Sequence, residues 1–284
     1  MAGFDSFSVL KRDETETVTR KQSAIWLPTR FFRFSLRSFL LIVIAAGVWL
    51  SVVSNRVRIQ KQAVDRVKQL GGQVGFDYQF DDKMNWRKDP KLPAPAWLID
   101  LIGADYARSV TIVNFDVGSD PSDDDLKVVA SLTSLKQLSL ANRKRITDNG
   151  LRHLTGLSEL EVLAIQGTNV SGEGFQHVMN MQKLTLLTLD NSPVTDDALQ
   201  YIGRLQKLEL LFLNNTRITD DGLKHLASLK SVTNLQLRGT LITDKAIKYL
   251  ADLTSLKSVL LSDRVSNEGR ARLQAQLPKC KVSY

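Results

Sequence analysis

A repeat of 24 or 25 residues is the feature that most constrains the fold of this chain. The stretch RITDNGLRHL at 145–154 recurs as RITDDGLKHL at 217–226, with two of the ten positions changed. The pattern L-x-x-L-x-L occurs in seven units, and its middle position is filled by Val113, Leu138, Leu163, Leu187, Leu211, Leu235 and Val259. A period held through seven units predicts a solenoid in which each coil buries its leucines by stacking on the next.

Each unit has two halves with different apolar spacing. The stretch LELLFLNNT at 208–216 has the character of a short strand, whereas ITDDGLKHLASL at 218–229 places leucines three residues apart, as a short helix does. Between the halves lies a helix start, whose predicted capping residues are Thr147, Ser171, Thr195, Thr219, Thr243 and Ser266. Aspartates follow four of them, at a position where the helix dipole favours negative charge: Asp148, Asp196, Asp220 and Asp244.

The full pattern L-x-x-L-x-L-x-x-(N/C/T)-x-(I/V)-T-D-x-G-L-x-x-L, over about 105–284, resembles the leucine-rich repeat family. It is most similar to the ribonuclease-inhibitor-like and cysteine-containing repeats found in bacterial membrane-anchored proteins. The resemblance implies an α/β solenoid of about seven strand–helix units, with a parallel sheet on the concave side and helices on the convex side. It also implies a ladder of hydroxyl groups bonded to the backbone of adjacent coils. Here that ladder is Thr168, Ser192, Thr216 and Thr240, and it is expected to end at Arg264.

An apolar segment near the N-terminus predicts a single transmembrane helix. The run 38–54 holds 17 residues without a charge, and arginines flank it at Arg37 and Arg56. A cleaved signal peptide and a buried soluble helix are the alternatives. However, 37 residues precede the run, no clear cleavage site follows it, and it has no polar stripe.

The sequence therefore divides into four parts. Residues 1–37 are expected to be a disordered basic tail, 38–54 a transmembrane helix, and 55–95 a juxtamembrane helix followed by a proline-rich linker at 88–95. Residues 96–284 are expected to form the leucine-rich repeat domain, capped by a helix at 96–109 and by a closing strand in PKCKVSY. We expect a single-pass protein of the cell membrane, in a bacterial envelope, with its N-terminus inside and its repeats outside.

Charge and cysteine content exclude several classes of function. The chain has a formal net charge of +8, but residues 1–70 hold 12 basic and 5 acidic residues, and the remainder holds 26 and 25. The repeats thus lack the basic surface that nucleic-acid binding requires. Cys280 is the single cysteine, so an intrachain disulfide is excluded, and no zinc-ligand spacing occurs. Neither a metal nor another cofactor is predicted.

The repeated polar residues do not predict an enzyme. The acidic groups Asp123–Asp125, Asp196–Asp197 and Asp220–Asp221 recur at one phase of the repeat, where helix-start chemistry explains them. The histidines His153, His177 and His225 fall in one column of the convex side, with tyrosines between them. No catalytic fingerprint or convergent set of groups is present.

The concave face is therefore the predicted site of function. Residues on either side of the middle leucine point away from the core, and several of them are apolar on adjacent strands. The predicted partner-binding residues are Val162, Leu186, Thr188, Leu210, Phe212, Asn234, Gln236 and Leu260. Alternatively, these apolar side chains only shield one another. The expected function is non-catalytic binding of a protein partner. Self-association as an envelope scaffold and service as the adaptor of an enzyme complex are the alternatives.

Overall fold

A computed structural model describes residues 36–80, 108–115 and 118–284. The predicted tail up to residue 35, the proline-rich linker at 88–95 and nearly all of the predicted capping helix at 96–109 lie outside the described residues. The chain divides after Val48 into two compact units.

The first element is one long helix, α1, at Leu36–Gln69. It contains both the predicted membrane span and the predicted juxtamembrane helix, so the helical structure of both is confirmed. Its apolar part is long enough to cross a membrane, and none of the side chains in that window is buried within the protein. The helix ends where Gly71 adopts a φ of +78°, a conformation that glycine accepts without steric cost.

Nine strands form one sheet in strict chain order, which confirms the predicted solenoid. Strand β1 pairs antiparallel with β2, and every later strand pairs parallel with its predecessor. The strands are β1 Gly72–Phe76, β2 Val110–Phe115, β3 Gln137–Ser139, β4 Val162–Ala164, β5 Leu186–Thr188, β6 Leu210–Phe212, β7 Asn234–Gln236, β8 Ser258–Leu260 and β9 Lys281–Ser283. The predicted closing strand near the C-terminus is thus confirmed as β9.

Short helices return the chain between the strands. The α-helices are α2 Asp125–Val129, α3 Asp148–Leu151, α4 Asp196–Ile202, α5 Asp220–Leu223, α6 Ile247–Leu250 and α7 Asn267–Gln276. Single turns of 3-10 helix lie at Asp77–Gln79, Arg152–Gly156, Glu173–His177, Lys224–Leu226 and Asp244–Ala246. One coil thus holds a three-residue strand and one or two helical turns, which accounts for the short period.

The middle residue of each parallel strand faces the core. Leu138, Leu163, Leu187 and Leu211 have no exposed surface, and their neighbours on the same strands are half-buried. Equivalent residues lie side by side in the sheet, as Leu163 does with Leu187. The core is therefore a continuous stack of leucines that no single coil encloses.

The turns after strands β3 to β7 require a left-handed backbone. Asn142, Asn191 and Asn215 have φ near +60°, and the same phase of the repeat carries Gly167 and Gly239 with φ of 68° and 67°. Asparagine and glycine are the residues that adopt this conformation at least cost. The alternation of Asn and Gly at this phase therefore follows from backbone geometry.

The repeated aspartates do more than start helices, because they join adjacent coils. Asp196 accepts hydrogen bonds from the Thr219 backbone N–H at 2.8 Å and from Thr219 Oγ1 at 2.6 Å. Thr219 Oγ1 in turn accepts the Asp221 N–H at the start of α5. We call this arrangement the carboxylate clamp. The other four clamps join Asp123 to Thr147, Asp148 to Ser171, Asp220 to Thr243 and Asp244 to Ser266.

Two of the predicted caps differ from the expectation. Thr195 makes no side-chain capping bond, and Gly172 rather than Ser171 is the residue that precedes the helical turn at 173. Both departures lie at one change in the repeat. The aspartate of this coil is replaced by Gly172, so the next coil receives no carboxylate. The Thr195 N–H donates instead to the Ser171 carbonyl at 2.9 Å.

The hydroxyl ladder is buried as expected, but most of its bonds stay within one coil. Thr168, Thr216 and Thr240 donate to carbonyl oxygens three residues earlier in their own coils. Ser192 does bond across, to the Ile165 carbonyl. Arg264, where the ladder was expected to end, does not continue it. Ser262 continues the ladder instead, because its hydroxyl donates to the Thr240 carbonyl of the preceding coil.

The second half of α1 and strand β1 close the N-terminal end of the core. Ala63, Val64 and Val67 have at most 2% of their surface exposed. Arg66 makes two hydrogen bonds to Asp125 Oδ1, from Nε at 2.9 Å and from Nη2 at 2.7 Å. Residues 55–95 were expected to be a juxtamembrane helix and a linker, so these contacts with the repeats were not predicted.

Leu187→Asp tests the assignment of the strand faces. The substitution places a charge in a site with no exposed surface, so we expect the repeat domain to unfold. Leu186→Asp, one residue away on the outer face, is the matched control and should remain folded. Circular dichroism with thermal unfolding of the full chain in detergent makes the comparison. A cooperative Leu187→Asp protein would show that the faces are reversed.

Asp196→Ala tests the carboxylate clamp. The change leaves the Thr219 N–H and hydroxyl without their acceptor, so we expect a loss of about 1–3 kcal/mol in the free energy of unfolding. Asp197→Ala removes an adjacent, exposed carboxylate from the same helical turn and should change stability by less than about 0.5 kcal/mol. Equal losses in the two variants, measured by urea unfolding, would assign the effect to the helix dipole instead of the clamp.

Candidate partner-binding face

The predicted binding residues lie together on the side of the sheet that faces away from the leucine core, which we call the outer sheet face. All eight belong to strands β4–β8, and all are partly exposed. They alternate with fully buried residues because successive side chains of a strand point to opposite sides. The structure thus brings the residues into one surface, and partner binding there stays a prediction.

Strand register arranges these residues in two rows. In the first row Val162 pairs with Leu186, Leu186 with Leu210, and Leu210 with Asn234. In the second row Thr188 pairs with Phe212, Phe212 with Gln236, and Gln236 with Leu260. Four apolar side chains are therefore contiguous, namely Val162, Leu186, Leu210 and Phe212. We call these four the apolar patch. Leu260 is separated from it by Gln236.

A network of polar groups borders the apolar patch. Thr188 Oγ1 donates to Gln166 Oε1 at 2.5 Å. Asn214 Nδ2 donates to Gln236 Oε1 at 2.7 Å. Asp190 accepts the Asn214 N–H of the next coil at 2.7 Å. Bonds between coils therefore hold the polar border in place, and its side chains pay little conformational entropy if a partner binds them.

The outer sheet face extends further towards the N-terminus than the repeats suggest. Strand β1 adds Gln73 and Gly75 beside Asn114 and Ile112 of β2. A cavity of about 330 Å³ opens at this end. The signal in the sequence was the short stretch GQVGF at 72–76, which follows Gly71 and does not fit the repeat period.

The acidic groups have structural partners. Asp123 forms a clamp with Thr147, and Asp125 is bonded to Arg66 and Ser122. Burial tends to raise the pKa of Asp125, but hydrogen bonds from the Ser122 backbone and hydroxyl and the Arg66 guanidinium outweigh it and lower the pKa. These carboxylates hold the first coils together, as the sequence analysis expected of a structural role.

The histidine column has no cluster of ligands around it. In the described ranges no group of three or more His, Cys, Asp or Glu side chains is placed to hold a metal ion. His153 has a lowered pKa, chiefly because it is partly buried and then because Arg152 and Lys127 lie near it. Cys280 is free and buried, and burial raises the pKa of its thiol.

Comparisons with solved structures return proteins built from leucine-rich repeats. An internalin of Listeria monocytogenes is 18% identical over 61% of this chain and 60% of its own, with a TM-score of 0.42. A leucine-rich repeat protein of Leptospira interrogans is 19% identical over 56% of this chain and 45% of its own, with a TM-score of 0.43. A plant peptide hormone receptor, solved with its peptide RGF2, is 18% identical over 48% of this chain and 22% of its own, with a TM-score of 0.38.

The chain thus spans 60%, 45% and 22% of the lengths of these three proteins. Identity and TM-score at these levels carry no inference about function. A scan against family models and a search of curated proteins found no match.

The Arg66–Asp125 pair makes stability depend on pH. Because the folded-state pKa of Asp125 lies below the unfolded value of about 3.9, the pair stabilises the fold above that pH. The contribution is lost as pH falls through the lowered pKa. We expect Asp125→Asn to lose less stability than the parent when urea unfolding is compared at pH 6 and pH 3. An identical loss in both proteins would contradict the assignment.

Proposed function

We propose that this leucine-rich-repeat protein is a membrane-anchored, non-catalytic recognition module that binds a protein partner through its outer sheet face. The helix α1 is the proposed single-pass anchor. The preferred orientation places the N-terminus inside and the repeats outside, in a bacterial envelope.

The single observation that supports the binding site is the apolar patch on the outer sheet face. Leu186 pairs with Leu210 on the adjacent strand, Phe212 lies two residues further along that strand, and Val162 pairs with Leu186. No contact with the core requires apolar residues at these positions, because the buried positions of the same strands are Leu163, Leu187 and Leu211. Polar side chains at the same positions are compatible with this fold, as Asn234 and Gln236 on the next strand show.

The area of the apolar patch limits how it can bind. Burying about 300 Å² of apolar surface contributes about 7 kcal/mol. Loss of translational and rotational freedom on association costs about 4–15 kcal/mol. The apolar patch alone therefore gives weak binding, and the polar border must add both affinity and specificity.

The polar border is suited to that task. Thr188 and Gln236 flank Phe212 in one row of the sheet, and each has a hydrogen bond to the neighbouring coil that orients it. Phe212 is then an aromatic anchor between two fixed polar groups, an arrangement that is common at the centres of protein interfaces. The extended segment or loop of a partner would lie across the strands.

Self-association as an envelope scaffold is the second candidate. The same apolar patch on a second copy would supply an apolar partner surface of matching size. Sedimentation of the full chain in detergent distinguishes the two candidates. A concentration-dependent dimer that Phe212→Asp dissociates favours the scaffold, whereas a monomer at all concentrations favours a different protein as partner. The adaptor role in an enzyme complex is the least favoured alternative.

Phe212→Asp and Leu186→Asp test the apolar patch. Each introduces a charge at the proposed contact without entering the core, so partner capture in intact cells should fall by about tenfold or more. Photo-crosslinking from position 188 or 236, followed by mass spectrometry of the captured protein, is the measurement. Both variants should keep the parental unfolding curve.

Leu241→Asp is the matched control for these variants. Leu241 is 40% exposed and lies in a turn after β7 instead of on the outer sheet face. Its substitution should leave crosslinking unchanged. If all three variants capture the same protein as the parent does, the apolar patch is not the binding site.

A further inference from the structure

A second candidate site lies where α1 meets the first coil, at Arg108. The Arg108 side chain is buried, with 7% of its surface exposed. Among the described residues, no hydrogen-bond partner lies within reach of its Nε or Nη2 atoms. Its Cζ atom lies 4.0 Å from the centroid of the Tyr78 ring, a cation–π contact that only partly offsets the loss of hydration. Arginine stays charged in proteins, so, within the described residues, two of the three guanidinium nitrogens of this buried cation lack a hydrogen-bond partner.

A buried cation of this kind is costly and calls for a physical reason. Leaving an ionised group unpaired away from water is among the largest penalties in a folded protein. Arg66 of α1 shows the usual solution, because Asp125 accepts two bonds from it. Within the described part of the chain, the Arg108 Nε and Nη2 atoms have no carboxylate partner of this kind. The planar guanidinium matches the geometry of carboxylates and phosphates, which makes an anion from outside the chain the natural partner.

Arg108 lines a cavity beside α1. The cavity has a volume of about 230 Å³, and its polar wall includes Arg56, Gln60 and Asp77. Two arginines against one carboxylate make the wall positive. Gln60 Nε2 donates to the Arg108 carbonyl at 2.5 Å, which fixes α1 against the segment that leads into β2. The cavity is therefore held open between two rigid elements.

A neighbouring cavity shares part of this wall and adds an amphipathic lining. It has a volume of about 250 Å³ and is lined by both Arg56 and Gln60. Apolar side chains of Val52 and Ile59 and the hydroxyl-bearing Ser134 complete its surroundings. Together the two cavities offer cations next to apolar surface, a combination that suits a phosphodiester attached to a hydrophobic tail.

The position along α1 agrees with this chemistry. The charge-free run ends beside Val53, and a helix rises 1.5 Å per residue, so Arg56 lies about 5 Å beyond Val53 and Gln60 about 10 Å beyond it. The polar layer outside the hydrocarbon core of a bilayer is about 5–8 Å thick on each side. If α1 anchors the protein as proposed above, Arg56 lies at the depth of the headgroup phosphates and Gln60 lies just outside that layer.

We propose that the cavity walled by Arg56 and Arg108 binds a phosphoryl anion, supplied by a phospholipid headgroup or by free phosphate. The lipid source rests on the membrane anchoring proposed above, whereas the phosphate source does not. The bound anion neutralises the buried guanidinium. By contacting both Arg56 and Arg108, it also links α1 to the first coil.

The test uses the full chain in a neutral maltoside detergent. Dioctanoyl phosphatidylglycerol and inorganic phosphate are titrated separately, and bound anion is measured by native mass spectrometry. We expect saturable binding of at least one of them at a single site. Arg108→Gln and Arg56→Gln should each weaken it by about tenfold or more, since each removes a charged hydrogen-bond donor.

Arg58→Gln is the matched control. Arg58 is an exposed arginine on the same helix, bonded to Asn55, and it does not line the Arg108 cavity. Its loss should change affinity by less than about twofold, because exposed charges act weakly and through solvent. Phe212→Asp should also bind the anion normally, which separates this site from the partner-binding face.

The outcomes decide both the site and its source. Loss of phosphatidylglycerol binding in the Arg56 and Arg108 variants, with phosphate inert, identifies a lipid site. The same losses with phosphate alone identify a free-anion site. Equal weakening by all three arginine variants, an unaffected Arg56→Gln protein, or no saturable binding of either anion would each overturn the proposal. Arg56 is exposed, so its variant remains informative if Arg108→Gln fails to fold.

Discussion

The stacking of coils is the constraint on which the rest of the structure depends. A three-residue strand and one or two helical turns cannot enclose a leucine such as Leu163, and its burial is completed by coils on both sides. Each coil must therefore present the same residue at the same phase to its neighbour. The tight period in the sequence is the consequence of this requirement, and so is the carboxylate clamp that joins Asp196 to Thr219.

The clamp explains the repeated T-D-x-G as one unit. The aspartate reaches the threonine of the next coil, and that threonine accepts a bond from the helix that follows it. The glycine provides room, because a Cβ atom at Gly222 would lie 2.2 Å from Asp196 Oδ1. The motif thus has a structural role, which was expected from its constant phase in the repeat.

Features that depend on local periodicity could be predicted from the sequence, whereas contacts between residues far apart in the chain could not. Alternation places Leu187 inside and Leu186 outside, and both positions follow from the strand pattern. The Asp196–Thr219 bond requires the stagger between coils, which no local pattern contains. The stagger between coils also decides that Ser262, and not Arg264, continues the hydroxyl ladder by bonding to the Thr240 carbonyl. The binding function of the outer sheet face was predicted from the residues expected there, and it stays a prediction.

The packing of α1 against the first coil was also not predictable from local sequence patterns. Helical spacing of Val64 and Val67 indicated a helix, but the surface that buries them comes from the first coil, and the Asp125 partner of Arg66 lies 59 residues further along the chain. The contact makes the end of α1 part of the repeat domain's core.

The coil junction under the apolar patch is the place where the repeat departs from its own rule. Gly172 removes the carboxylate between the coils of β4 and β5, which carry Val162 and Leu186. The Ser192 hydroxyl links the same two coils. Its oxygen accepts the Thr168 N–H at 3.2 Å, and it donates to the Ile165 carbonyl of the preceding coil. The junction exchanges a charge-assisted bond for neutral ones, which are weaker. The proposed binding face therefore spans a junction between coils that neutral hydrogen bonds hold in place of a carboxylate clamp.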